Sequence, residues 1–458
     1  MNFIEKNLKD VDSQFYQLLL KERERQKNKL ILNAAISICP KSVLQVQNSC
    51  FVNIDAEGYA PQYLSKQLES QLLNFDKQLE LYEALKDSRA NKNCEIANIA
   101  DVLAQKRLAK VFANDCVNQE EIFVNFYPPT GSIANLIILN ALLEPKDKIL
   151  SLELSQGAHL SHGAKIHFSG KNYEIINYHI NSKTNNLDYD EIDLQLKLHT
   201  PQMLIAGFSS FPLQIDWLRL KDGIKKYSPS TLLFADIAHT AGLVAGGVFN
   251  NPVGVADVVS LVTYKTFCGP RAAAILTTNV KINDKIKKSA FPGIMGAPLL
   301  IGAIGIGVSA KIAQTQEFVI LQKNIVNNAR LLCKYLTKEG VPLAFKTTDT
   351  HIVIINAYQF LKMEKSGQVL ADTLEDCNIM VNKQMLINDE KNSDSKGIRI
   401  GTTWITQLNI TEQDIALIAK IIKGIMIAIK DNNKDLSCFK IQINGLTNKL
   451  NANLSYWQ

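Results

Sequence analysis

Several features are missing from this 458-residue chain, and each absence narrows the reading. No two of its eight cysteines form a Cys-x-x-Cys pair, and none is spaced with histidine as metal ligands are. In a long chain this predicts free thiols in a reducing compartment, with no disulfide framework and no metal site. The formal net charge is +6, but no run of five like charges occurs, so no dedicated nucleic-acid surface is expected. The opening residues, MNFIEKNLKDVD, lack the apolar core of a secretory signal. The apolar, glycine-bearing run at 299–310 is too short to span a bilayer. No internal repeat is visible. A cytoplasmic protein with no membrane partner is therefore expected. What is present is ordinary globular composition, 46% hydrophobic and 21% charged, enough for one large and one smaller domain.

The most informative stretch is 233–274, LFADIAHTAGLVAGGVFNNPVGVADVVSLVTYKTFCGPRAAA. An apolar run ends in Asp236, and a second, 258–263, ends just before Tyr264 and Lys265. Such runs bounded by turn residues read as buried strands. A carboxylate at a buried strand end needs a cationic partner or hydrogen bonds. Asp236 and Lys265 thus occupy equivalent ends of two strands, 29 positions apart. Pyridoxal phosphate enzymes need such a pair. The lysine amine condenses with the cofactor aldehyde, and the carboxylate keeps the ring nitrogen protonated.

The segments DIAHTAGLVAGGVFNNPV and TYKTFCGPR resemble serine hydroxymethyltransferase, a fold-type I pyridoxal phosphate family. The resemblance extends from about residue 9 to 425. It implies an α/β fold, aspartate aminotransferase-like, with a mostly parallel seven-stranded sheet and a smaller α+β C-terminal domain. The expected divisions are a helical arm at 1–50, a cofactor domain at 51–310 with an insert at about 62–92, and a small domain at 311–458.

Carried over position by position, the resemblance implies these roles. Lys265 bears the cofactor, Asp236 faces its ring nitrogen, and His159 of HLSHG stacks on the ring, with His162 in support. Thr130, Gly131 and Ser132 open a helix at the phosphate, a place where backbone N–H groups and the helix dipole favour an anion. Thr263 and Gly296 also reach phosphate, Gly296 that of a neighbouring subunit. Ser209 and His239 lie near the phenolic oxygen. Glu57 of DAEGY handles the proton of the substrate hydroxyl. Arg399 of GIRIGT binds the substrate carboxylate together with His239, a task suited to a planar guanidinium. Leu154 and Leu160 flank a folate ring, and His351 and Thr350 lie near it.

Departures from the family pattern are visible too. Ala34 and Ala35 replace a polar pair, Asp55 a Tyr, Pro129 a His and Gln156 a His. Tyr264 replaces a His beside Lys265, and a phenol has a far higher pKa than an imidazole. A tyrosine pair expected after Pro61 gives way to the insert, whose Leu68, Leu72, Leu79 and Leu85 predict one or two helices.

The implied activity is cleavage and formation of the Cα–Cβ bond of β-hydroxy-α-amino acids. Serine–glycine exchange with tetrahydrofolate is its simplest form. A folate-independent aldolase or transaldolase stays open, as does a cofactor-binding protein without efficient catalysis. The implied assembly is a homodimer or tetramer with shared sites. An amphipathic helix over 9–32, with Val11, Phe15, Leu18, Leu19, Leu30 and Ile31 among charges, packs on a partner or on its own domain. The Asn-rich tail, 432–458, has Phe439 and Trp457 as candidate anchors.

Overall fold

A computed structural model describes residues 3–386, 389 and 395–452. The chain forms two compact units. The larger comprises residues 35–327 and 348–351, and the smaller the remainder. The divisions fall at 34/35 and 327/328, not at the expected 50 and 310. The second lies inside the helix Gln316–Lys338, where no loop marks it in the sequence.

The larger unit is built on a seven-stranded sheet. In chain order its strands are β1 (Phe123–Asn125), β2 (Lys148–Leu152), β3 (Glu174–Tyr178), β4 (Met203–Ala206), β5 (Leu232–Asp236), β6 (Val258–Val262) and β7 (Ala273–Thr277). In space they run β1-β7-β6-β5-β4-β2-β3. The five strands from β6 to β3 pair in parallel, and β7 pairs antiparallel with both β6 and β1. This is the expected mostly parallel sheet. β4, β5 and β6 are buried at nearly every residue, because helices cover both faces of such a sheet. That is why they read as continuous apolar runs without alternation.

Two helices of this unit, α1 (Glu95–Phe112) and α2 (Gly131–Leu142), flank the site elements, and α3 (Leu300–Ala313) packs closely on α1. A side chain at Gly307 would come within 2.7 Å of the Ala104 methyl, so glycine permits the approach. The insert forms three short helices, Gln62–Ser65, Glu69–Leu72 and Phe75–Leu85. Leu64 and Leu72 are buried with Ile99 and Val102 of α1, whereas Leu68, Leu79 and Leu85 are exposed. The leucine spacing suggested one or two helices, and three form. The turns at Lys66 and Leu73 break the period and place a different set inside.

The smaller unit holds a three-stranded antiparallel sheet, β8 (Ile352–Asn356), β9 (Asn382–Gln384) and β10 (Gly397–Gly401), with β10 central. The N-terminal helix Ser13–Asn28 ends earlier than expected. Leu30 and Ile31 form a short parallel strand with Ile379 and Met380 instead. None of the residues of Ser13–Asn28 is buried. Residues 437–451 form a helix, and Phe439 rests against Gly424 of the helix Glu412–Lys430. Trp457 lies outside the described residues.

Candidate active site

Parallel sheets bring the carboxyl ends of their strands to one edge, and side chains there converge on a crevice. β5 ends in Asp236, and Thr263–Lys265 follow β6 directly. α2 begins at Gly131, capped by the Thr130 hydroxyl, which accepts from the Ile133 N–H. A pocket with about 420 Å³ of open space is lined by Thr130, Gly131, Ser132, Asn135, His159, His162, Phe208, Ser209, Asp236, Ala238, His239, Val262, Tyr264 and Lys265. Residues expected from five separate sequence segments thus meet in one cavity.

Asp236 is buried at its floor, only 8% exposed. Its Oδ2 accepts from His162 Nε2 at 2.9 Å and Asn135 Nδ2 at 2.8 Å. Its Oδ1 accepts from the Ala238 N–H at 3.0 Å. Burial alone would raise the carboxyl pKa. Hydrogen bonds from His162 and Asn135 outweigh it, holding the acid well below its usual range. The carboxylate is therefore ionised.

Asn135 organises the surrounding groups. Its amide donates to Asp236 and, at 2.7 Å, to Ser161 Oγ, while its carbonyl accepts from Ser260 Oγ at 2.9 Å. The Ser161 N–H donates to His159 Nδ1 at 3.2 Å, so that nitrogen is an acceptor. Ser161 Oγ, 2.7 Å from the same nitrogen, then donates to it. Burial pushes the His159 imidazole down to about 4, with His162 adding to the effect. His159 is thus neutral, with its proton on Nε2.

Backbone constraints fix the geometry. Gly207, just after β4, has φ +126°, and a Cβ there would collide with the Asp236 backbone carbonyl. Tyr264 lines the pocket, with the Arg271 guanidinium 4.7 Å from its ring centroid and its carbonyl accepting from Ser37 Oγ. His239 stacks on the fully buried His351, centroids 5.6 Å apart and planes 16° apart.

Four expected site residues are absent from the lining. Thr263 is wholly buried and outside the lining, its hydroxyl donating to the Pro270 carbonyl at 2.6 Å. Glu57 and Gly296 are absent from the lining but adjacent to each other. A Cβ built on Gly296 would sit 3.4 Å from Glu57 Oε1. Arg399 is on β10 of the smaller unit, donating to Asn382 Oδ1 at 3.0 Å. Burial lowers its guanidinium to about 10, which leaves it charged near neutrality.

The sequence reading passed over the roles of Asn135, Ser161 and Ser260. Asn135 had a detectable signal: an amide inside the apolar helix GSIANLIILNAL, where a buried polar group needs partners. The serines had none, being ordinary in a short helical turn and a strand.

The serine hydroxymethyltransferase family model matches residues 68–422. The chain is 34% identical to a serine hydroxymethyltransferase of Psychrobacter sp. (strain PRwf-1), over 90% of both chains. It is 34% identical to one of Endomicrobium trichonymphae, over 94% of both, and 33% identical to one of Methanosarcina barkeri, over 95% of this chain and 96% of the relative. With the sheet, the pocket and nearly full-length similarity in agreement, the chain belongs to the serine hydroxymethyltransferase family.

Proposed function

We propose that the protein interconverts serine and glycine, with pyridoxal phosphate as cofactor and tetrahydrofolate as one-carbon acceptor. The observation that carries this reading is the meeting of Lys265, an ionised Asp236 and the start of α2 in one pocket. The donor set fits the cofactor. Helix N–H groups with the Thr130 and Ser132 hydroxyls suit its phosphate, and Asp236 suits a protonated ring nitrogen. When bound, the cofactor links to amino groups through its aldehyde, and its ring accepts the electrons released at Cα.

The chain's own residues divide the remaining work. Lys265 supplies the amine that anchors the cofactor and yields to the amino acid. Asp236 would pair with the protonated ring nitrogen, its carboxylate held in place by His162, Asn135 and the Ala238 N–H. His159, neutral, offers an uncharged face for stacking. Ser209 and His239 hold the phenolic oxygen, and the stack on His351 fixes the His239 plane. Arg399 binds the substrate carboxylate. Glu57 moves the proton of the β-hydroxyl. Leu160, 50% exposed, gives an apolar surface for the folate ring.

The assembly is at least a homodimer. The helix Ser13–Asn28 buries nothing, and Val11, Phe15 and Leu18 are each more than 60% exposed, an apolar face that a second copy would cover. Glu57 and Gly296, adjacent yet outside the lining, would together serve a neighbour's pocket. The cytoplasm is the proposed location, which eight free cysteines suit. Among the described residues no helix is long and apolar enough to cross a membrane.

The test is a spectral titration of the holoenzyme with glycine, with and without tetrahydrofolate. A long-wavelength band that grows with folate is expected. A band indifferent to folate, with cleavage of threonine, would replace the folate reaction by an aldolase.

A further inference from the structure

We propose that Arg89, at the end of the insert, is the positioning residue for Glu57. This rests on the reading of Glu57 as the carboxylate that moves the hydroxyl proton. Arg89 is 1% exposed, among the largest fully buried side chains. Its Nη1 donates to the carbonyls of Ala56 and Gly58, both at 2.6 Å. These are the carbonyls of the residues on either side of Glu57. The carbonyl of Glu57 itself accepts from the Ala90 N–H at 3.2 Å. Three successive carbonyls, 56, 57 and 58, are therefore held by two successive residues.

The clamp is itself braced. Arg89 Nη2 pairs with Asp101 at 2.7 Å, and Nε donates to Asn98 at 2.6 Å. Asp87 accepts from the Arg89 N–H at 2.9 Å and from Asn98 Nδ2 at 3.0 Å. From the other side the Tyr127 hydroxyl donates to the Gly58 carbonyl at 2.7 Å and accepts its N–H at 2.9 Å. Four guanidinium N–H groups thus go to main-chain carbonyls, Asn98 and Asp101. Arg89 acts on Glu57 through the backbone, fixing where its Cα–Cβ bond points. A planar fork can bridge two carbonyls while anchored at its other edges; an ammonium cannot hold this arrangement.

The interpretation separates positioning from general support of the fold. A scaffold residue would lower stability without singling out the step at Glu57. A positioning residue loses its effect once Glu57 no longer carries a titratable carboxylate.

The experiment is a double-mutant cycle on the holoenzyme, measuring serine cleavage with Arg89→Lys, Glu57→Gln and the pair. Asp101→Asn, which keeps the guanidinium and loosens one anchor, is run in parallel should Arg89→Lys fold poorly. Arg89→Lys is expected to lower kcat about 10- to 100-fold, with KM for serine within about threefold and the cofactor's visible absorbance unchanged. In the Glu57→Gln background the same change should cost less than about threefold. Equal fractional losses in both backgrounds, or undiminished kcat in both Arg89→Lys and Asp101→Asn, would overturn the proposal. Full activity of Glu57→Gln alone would instead remove Glu57 from catalysis, and the proposal with it.

Discussion

Replacing Asn135 by Asp tests the polar network under the pocket with a single isosteric change. The new oxygen would take the place of Nδ2, 2.8 Å from Asp236 Oδ2. At an effective dielectric constant of about 20, two unit charges at that separation repel by about 6 kcal/mol. That equals about 4 pKa units, enough to carry one carboxyl of the pair from about 4 to about 8. The folded state would then hold one proton that the unfolded chain releases. Because this folded pKa is raised above its unfolded value, stability is lost as pH rises from about 4 to about 8, by about 1.4 kcal/mol per pH unit. Between pH 5.5 and 7.5 the variant's deficit relative to the parent should therefore grow by about 3 kcal/mol. For a unit of this size that is roughly 5 °C in Tm. The assay is thermal unfolding of the cofactor-free parent and variant at both pH values, with Asn135→Ser as control. The control should show a deficit that does not change with pH. A pH-independent deficit in Asn135→Asp would refute the reasoning, since the two carboxylates could not then share a dry, unscreened site.

The remaining predictions concern the edges of the site. Arg399→Lys keeps the charge but loses the fork, and should raise KM for serine about 10- to 100-fold with cofactor absorbance unchanged. An unaffected KM, read from steady-state kinetics, would assign the carboxylate to another group. Gly207→Ala places a methyl against the Asp236 backbone at a positive φ and should destabilise the protein by about 3–5 kcal/mol, seen as a lowered Tm and weaker cofactor retention. A variant as stable as the parent would mean that the turn after β4 yields without moving Asp236.

Much of this site was legible because the chemistry lies at strand ends. Apolar runs announce β5 and β6, and the polar residues that interrupt them, Asp236 and Lys265, stand out for that reason. The start of α2 was equally visible, since Thr-Gly-Ser at the head of an apolar helix signals a cap. The insert was less legible. Its helices are one to three turns long, too short for periodicity to settle which leucines turn inward, and tertiary contact with α1 decided it. Leu30 and Ile31 continued the helical pattern, yet pairing with Ile379 and Met380 drew them into a strand. That partner is about 350 residues away, beyond the reach of any local signal. Which groups Asn135 and Arg89 bond to was invisible for the same reason, since those partners are brought together only by the fold.

The network that joins His159, Ser161, Asn135, Ser260, Asp236 and His162 has a bearing on how such a chain can drift. Each Asn135 N–H has its own acceptor and the amide oxygen its own donor, so one member cannot change without orphaning another. Inheritance would then treat these six positions as a block. The places where this chain departs from the family pattern, Ala34, Ala35, Asp55, Pro129, Gln156 and Tyr264, all lie off that block. Of these only Tyr264 lines the pocket, so divergence has room around the site while the floor of the pocket stays fixed. A laboratory selection for new acceptors would therefore gain most by randomising those outlying positions and leaving the block intact.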